Sequence, residues 1–175
     1  VLLGNLVKQM TTQMSNSKSE GDSPHALLEK CMAEIGVTFK IWEKRENQSG
    51  TGTFDYTPLM GSDLKCVIRR LPEMFVNLMP NATAQKPKAV WNQLGSIYFD
   101  ALSSSTNDHE KLFKMAQKFL KSFLNLHKSS LEGFANRNVT PYMHMLLYHV
   151  PNQVRRLDGR FKSFTGQHIE KANDT

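Results

Sequence analysis

Between Asp108 and Leu126 the apolar residues Leu112, Phe113, Ala116, Phe119, Leu120, Phe123, Leu124 and Leu126 recur three and four positions apart. That spacing puts side chains along one face of an α-helix. A stripe this long commits the segment to a helix, and a helix with one apolar face needs other elements to cover it. The same period returns at Leu2, Leu3, Leu6, Val7 and Met10, at Leu27, Leu28, Cys31, Met32 and Ile35, and at Leu64, Val67, Ile68 and Leu71. It appears again at Val90, Leu94, Ile97, Tyr98 and Leu102. Only Val37-Thr-Phe-Lys-Ile-Trp42 alternates apolar and polar residues, the pattern of a half-buried strand, with Phe54-Asp-Tyr56 as a short return partner. The expected fold is therefore mainly α, with at most one small β-hairpin within Val37–Tyr56.

Local signals divide the helices. Ser23 and Pro24 open one and Gly36 stops it. Glu46–Thr53, with Gly50 and Gly52, reads as a turn or loop. Ser62 or Asp63 is a candidate cap, Pro72 divides the following helix from Met74–Met79, and Pro80–Pro87 reads as a linker to a helix starting near Ala89. Asp108 caps the long helix, whose stripe should bury Phe113, Phe119, Leu120 and Phe123. Thr140-Pro141 is a helix start with Thr140 as cap. Its apolar residues are Tyr142, Met145, Leu146 and Val150, and Pro151 should kink or end it. Asp158-Gly159 closes the continuation, and a last helix is expected from Thr165 or Gly166.

With 175 residues, 39% hydrophobic and 22% charged, the chain can build a real core. A formal charge of +6 permits contact with nucleic acid or anionic lipid without demanding it. The two cysteines, Cys31 and Cys66, are too few for a disulfide scaffold and too far apart for a zinc knuckle, which favours a reducing compartment. No apolar run is long enough to cross a bilayer, so no membrane partner is expected. The chain opens on Val1 and closes on Thr175 inside a helical pattern, so a piece of a longer protein is expected.

Three groups of residues carry possible chemistry. Lys111, Lys114, Lys118 and Lys121 step by three and four and form one row on the long helix. Such a row is the solvated flank of a buried helix or, in a second reading, a track for nucleic-acid phosphates. Next comes Tyr142-x-His144-x4-His149-Val150-Pro151. Two imidazoles at this separation suit a zinc site. On a straight helix, however, positions five apart are about 140° out of register, so a break at Pro151 would have to turn them together. Last is Gln167-x-x-Glu170-x-x-Asn173, three polar side chains on one helix face, in which Glu170 is a plausible ligand for a hard divalent metal. The wet face of a surface helix would look the same.

Taken in order, the last two motifs resemble the C-terminal catalytic segment of Transib-type transposases and of the related catalytic subunit of the V(D)J recombinase. The resemblance covers about residues 140–175 and rests on five or six residues. It implies a helical insertion domain at 1–139 of a ribonuclease-H-like recombinase, followed at 140–175 by the His-x4-His segment and the start of the helix bearing the last catalytic glutamate. In that family two aspartates and a glutamate bind two Mg²⁺ or Mn²⁺ ions for DNA strand cleavage and transfer. The glutamate would correspond to Glu170, with Gln167 and Asn173 as DNA contacts. His144 and His149 would correspond to two ligands of a structural Zn²⁺. DNA is then the partner, a homodimer is admitted, and the compartment is the nucleus.

The chain departs from the family pattern in two respects. No close cysteine pair completes the zinc site, and Asp22, Asp55, Asp63, Asp100 and Asp108 all sit in loop or capping contexts. The resemblance thus implies an inactive fragment, whose parent is either an active enzyme or a domesticated transposon. The competing expectation is a non-catalytic helical module that binds protein or nucleic acid through the lysine row and an exposed Trp42 or Trp91.

Overall fold

A computed structural model describes residues 1–16, 23–46, 49–103, 107–126, 131, 134–135 and 139–160. The fold is mainly helical with a single two-stranded antiparallel hairpin among the described residues. The elements run α1 (Leu2–Asn16), α2 (Pro24–Glu34), β1 (Ile41–Glu46), β2 (Ser49–Tyr56), α3 (Gly61–Arg70), a 3₁₀ turn (Leu71–Met74), α4 (Phe75–Leu78) and α5 (Asn81–Ser96). A π turn (Ile97–Leu102) extends α5, and α6 (His109–Leu126), α7 (Pro141–His144), a second π turn (Met145–His149) and α8 (Val150–Arg156) follow. These form two compact units, Val1–Asn92 with Ser122–Val139 and Gln93–Lys121 with Thr140–Thr175.

The first unit is built on α1 and α2. Leu2, Leu3, Leu6, Val7 and Met10 of α1 are buried, as are Leu28, Cys31 and Met32 of α2. Ser23 caps α2, its hydroxyl oxygen accepting from Ala26 N at 3.2 Å, and Pro24 occupies the first turn. Gly36 stops the helix at φ 84°, a left-handed conformation that glycine adopts without a Cβ penalty, and Val37 N then donates to Met32 O at 2.9 Å. Pro72 separates α3 from α4 through the 3₁₀ turn, as its missing donor requires. Phe75 and Trp91 meet edge to face with centroids 5.6 Å apart, both buried.

The hairpin lies further along the chain than the alternation suggested. Val37 and Phe39 are buried and Thr38 and Lys40 exposed, so the period-2 pattern is real, but it belongs to an extended segment preceding β1. Most of the stretch expected as loop is ladder instead. Gly52, at φ 69°, sits in a bulge where the register shifts between Glu43 and Arg45. Gly52 N donates to the Glu43 carboxylate at 2.7 Å, and a Cβ on Gly50 would collide with that same carboxylate. The glycines that looked like loop are what the bulge needs. Glu29 fixes the hairpin to α2, accepting from Ile41 N at 2.8 Å and pairing with Lys40 at 2.7 Å.

Two other boundaries and one exposure differ from expectation. Residues 81–87 are the opening turns of α5 rather than a linker, with Thr83 N and Ala84 N donating to Pro80 O. Pro87 lies inside that helix, its ring buried on the same face as Ala84, Val90 and Trp91. Burial of that face outweighs the one hydrogen bond a proline omits. Neither Ser62 nor Asp63 caps α3, which starts at Gly61 after Met60 with no side-chain cap. Trp91 is 2% exposed and so is no docking residue, whereas Trp42 is 46% exposed.

Candidate functional site

The second unit carries the histidines. Pro141 occupies the first turn of α7, but Thr140 makes no side-chain cap bond, and its hydroxyl is buried without a partner among the described residues. The buried positions beyond it are Met143, Leu147, Pro151 and Val154, while Tyr142 and Met145 are 71% and 49% exposed. The apolar face is therefore rotated from the one expected, because Tyr142 and Met145 were counted as core.

Pro151 does not end the helix. The chain runs through it as α8, and the irregularity falls just before it, in the π turn Met145–His149. There Val150 N donates to Met145 O, an i→i+5 bond. Proline lacks a donor for the carbonyl four residues back, and its ring would press on that Leu147 carbonyl; the wider turn accommodates both. Its consequence is local. Five residues now span little more than one turn, and the rings of His144 and His149 come to a centroid separation of 5.3 Å with planes at 59°. The convergence expected from a proline kink is present, but its cause is the π turn.

Tyr148 flanks the pair, its ring 4.9 Å from His144 and, on the other side, 6.3 Å from Phe113. Phe113 was expected in the core and is 37% exposed, whereas Phe119 and Phe123 are buried as expected and Leu120 is half-buried. The phase of α6 explains the difference: Leu112, Ala116, Phe119 and Phe123 centre the buried face, and Phe113 lies about 100° from Leu112 on its edge. Lys111, Lys114, Lys118 and Lys121 are all exposed, on the side away from that face. Asp108 caps α6, its Oδ1 accepting from Glu110 N at 2.9 Å and Lys111 N at 3.1 Å. The Lys111 bond above all, against the opposing effect of desolvation and with lesser help from the Glu110 bond and the His109 and Lys111 charges, holds the Asp108 carboxyl below its usual value.

The end of α8 is locked to the residue before this cap. Asn107 N donates to Gly159 O at 2.8 Å, and Gly159, at φ 73°, approaches so closely that a Cβ would stand 2.8 Å from Asn107 O. This junction holds α8 beside the first turns of α6. An open cavity of about 390 Å³ lies along Phe113, Tyr148 and Pro151, edged by Glu110, Lys114 and Arg155. Sequence reasoning missed this cleft. Its aromatic members are thirty-five positions apart, and the only signal was Phe113 at the margin of its stripe.

Gln167, Glu170 and Asn173 lie outside the described residues, as does the helix expected from Thr165. Among the described residues no three histidines, cysteines, aspartates or glutamates cluster as a metal site, so His144 and His149 stand as a pair. Cys31 is buried, and Cys66 donates its thiol to Ile35 O at 3.2 Å. No described helix is long and apolar enough to cross a membrane. Comparison with protein-family models, with curated proteins and with solved structures finds no match to this chain.

Proposed function

We propose that this chain is a helical segment of a transposase-like DNA recombinase, with His144 and His149 contributing half of a structural zinc site and the lysine row of α6 tracking DNA phosphates. The observation that carries the reading is the separation of the two imidazoles. Zinc–nitrogen bonds of about 2.0–2.1 Å at a tetrahedral angle place two ligating imidazole centroids about 5.2 Å apart. The rings of His144 and His149 are 5.3 Å apart, and both residues are exposed. Neither ring forms a hydrogen bond among the described residues that would explain its place structurally. The donor set thus fits zinc as far as it goes, with the remaining two ligands to come from elsewhere.

Catalysis in this reading rests on the resemblance of Gln167-x-x-Glu170-x-x-Asn173 to the family's last metal-binding segment. Glu170 would hold Mg²⁺ or Mn²⁺ together with two aspartates outside this chain, and the metals would stabilise the attacking and leaving oxygens at phosphorus. The exposed lysines supply sequence-independent attraction to the duplex, and every phosphate they neutralise steepens the salt dependence.

Two measurements test the proposal. In the full-length parent, Glu170→Gln should abolish Mg²⁺-dependent strand cleavage and leave folding and DNA binding near wild type; full cleavage by that variant rejects the catalytic role. In this chain, replacing all four lysines of the row by alanine should weaken duplex binding. It should also lower the slope of log K against log salt by roughly 0.9 for every phosphate no longer neutralised. An unchanged slope rejects the phosphate track.

A further inference from the structure

We propose that the cleft along Phe113, Tyr148 and Pro151 is a docking site for an acidic protein segment that inserts one bulky apolar side chain. This goes beyond the recombinase reading, which uses only Lys114 of this cleft, as one member of its phosphate-tracking row. Its volume of about 390 Å³ falls within the range of ligand pockets, near its lower end, and suits one or two large side chains. The lining is aromatic surface open to solvent, Phe113 37% and Tyr148 53% exposed, beside the buried ring of Pro151. Exposed aromatics at a concavity are the usual anchors of protein interfaces.

The rim decides the charge of the partner. Lys114 and Arg155 stand against one carboxylate, Glu110. Neither cation forms an ion pair among the described residues, Arg155 donating instead to the Asn152 side-chain oxygen at 3.2 Å. An acidic segment would neutralise both cations while its apolar residue filled the floor.

Ring geometry argues against a nucleobase. A base sandwiched between aromatics needs them face to face, whereas Phe113 and Tyr148 are inclined at 51° with centroids 6.3 Å apart. The two rings form an open wedge, which an aliphatic or aromatic side chain can enter from above. The junction of Asn107 with Gly159 keeps the wedge preformed, so little ordering cost falls on binding.

The test uses fluorescently labelled peptides of alternating Asp and Glu with a single central Leu, Phe or Trp, alongside the same peptides with central Ala, and a single-stranded oligothymidine. Binding is followed by anisotropy, and the ring resonances of Phe113 and Tyr148 are followed by NMR. The apolar-centred peptides should bind and shift both ring resonances. Central Ala, Tyr148→Ala and Arg155→Glu should each weaken binding at least about tenfold. Tyr148 and Arg155 are exposed, so both variants should keep the wild-type circular dichroism, and Phe113→Ala offers an independent third variant. Equal binding of the Ala-centred peptide would reduce the effect to charge alone and overturn the proposal. So would indifference of binding to all three variants, or ring shifts produced by the oligothymidine and not by the peptides.

Discussion

His25 and the pair His144–His149 are the same side chain put to opposite uses. In the first unit His25 is 8% exposed, its Nε2 is 2.9 Å from the Thr11 hydroxyl, and its ring meets Phe54 edge to face at 4.6 Å. It joins α1, α2 and β2, and burial pushes its pKa down against the opposing charge of Glu29. In the second unit both histidines are exposed and face one another across a π turn, with only ring contacts among the described residues. A histidine absorbed by its surroundings is accounted for by packing. Two that are left open, with centroids 5.3 Å apart, are not, and the π turn that accommodates Pro151 is what brings them together.

Aromatic residues extend the comparison, and here the largest effect is expected. Trp91→Ala should destabilise the chain by about 3–5 kcal/mol, because it empties a packed site against Phe75. Tyr148→Ala, at an exposed ring, should stay within roughly 0.5 kcal/mol of wild type. Urea unfolding of the two variants checks the contrast. A loss of several kcal/mol at Tyr148 would make the cleft part of the core rather than a surface prepared for a partner.

Second in size is Gly159→Ala. The residue combines a left-handed φ with a Cβ position 2.8 Å from Asn107 O, so the substitution strains the backbone and opens the junction to Asn107. A loss of about 1–3 kcal/mol is expected. The same variant should weaken binding of the apolar-centred acidic peptide, since α8 would no longer be fixed beside α6. Wild-type stability here would show that the cleft is not held open by this junction.

What could be read from the chain beforehand follows the range over which each signal acts. The caps at Ser23 and Asp108, the stop at Gly36 and the break at Pro72 depend on a few neighbouring residues and were legible. Helices with several repeats of the stripe were legible too, although α6 betrayed its phase only by the choice among adjacent apolar positions. The hairpin was displaced because Gly50 and Gly52 serve a bulge that pairing across the ladder creates. Pro87 looked like a breaker because its reward is burial against residues distant in sequence. The convergence of His144 and His149 could be stated only conditionally, since nothing local distinguishes a π turn from a kink at Pro151. The cleft joins two helices whose meeting no local pattern encodes.

The third prediction separates zinc-site geometry from mere proximity. Deleting Met145 leaves the histidines four apart, which an ordinary α turn places on one face, so zinc affinity measured by calorimetry should stay within about threefold. Inserting an alanine after Met145 sets them six apart, about 240° around a regular helix, and should cost at least about tenfold, or 1.4 kcal/mol. His144→Ala should match the insertion. If zinc binds equally to all of these variants, the ion is held elsewhere and the paired rings are incidental.

The smallest effect returns to His25. The Thr11 hydroxyl donates to Val7 O at 3.0 Å, which leaves its oxygen able to accept a hydrogen bond from His25 Nε2–H, 2.9 Å away. That bond is open to the neutral and the protonated ring alike; burial sets the direction, opposing protonation more than Glu29 promotes it. The folded-state pKa is therefore below the unfolded value of about 6.5, and the unfolded chain takes up the proton first as pH falls. Stability from this group is fully present above about pH 6.5, declines below it, and levels off once the folded state also protonates. The charge facing it, Glu29, titrates lower still. Burial would raise its carboxyl, but hydrogen bonds from Lys40 and Ile41 and the Lys40 and His25 charges together hold it below its usual value. The stability held by Glu29, like that held by Asp108, is present above the ordinary carboxylate range and is lost as pH falls below it toward the lowered folded-state values. Urea midpoints measured from about pH 8 to about pH 5 should fall for the wild type and remain flatter for His25→Gln, whose amide can still donate to Thr11. Parallel curves for the two proteins would mean that His25 is not the titrating joint of the first unit.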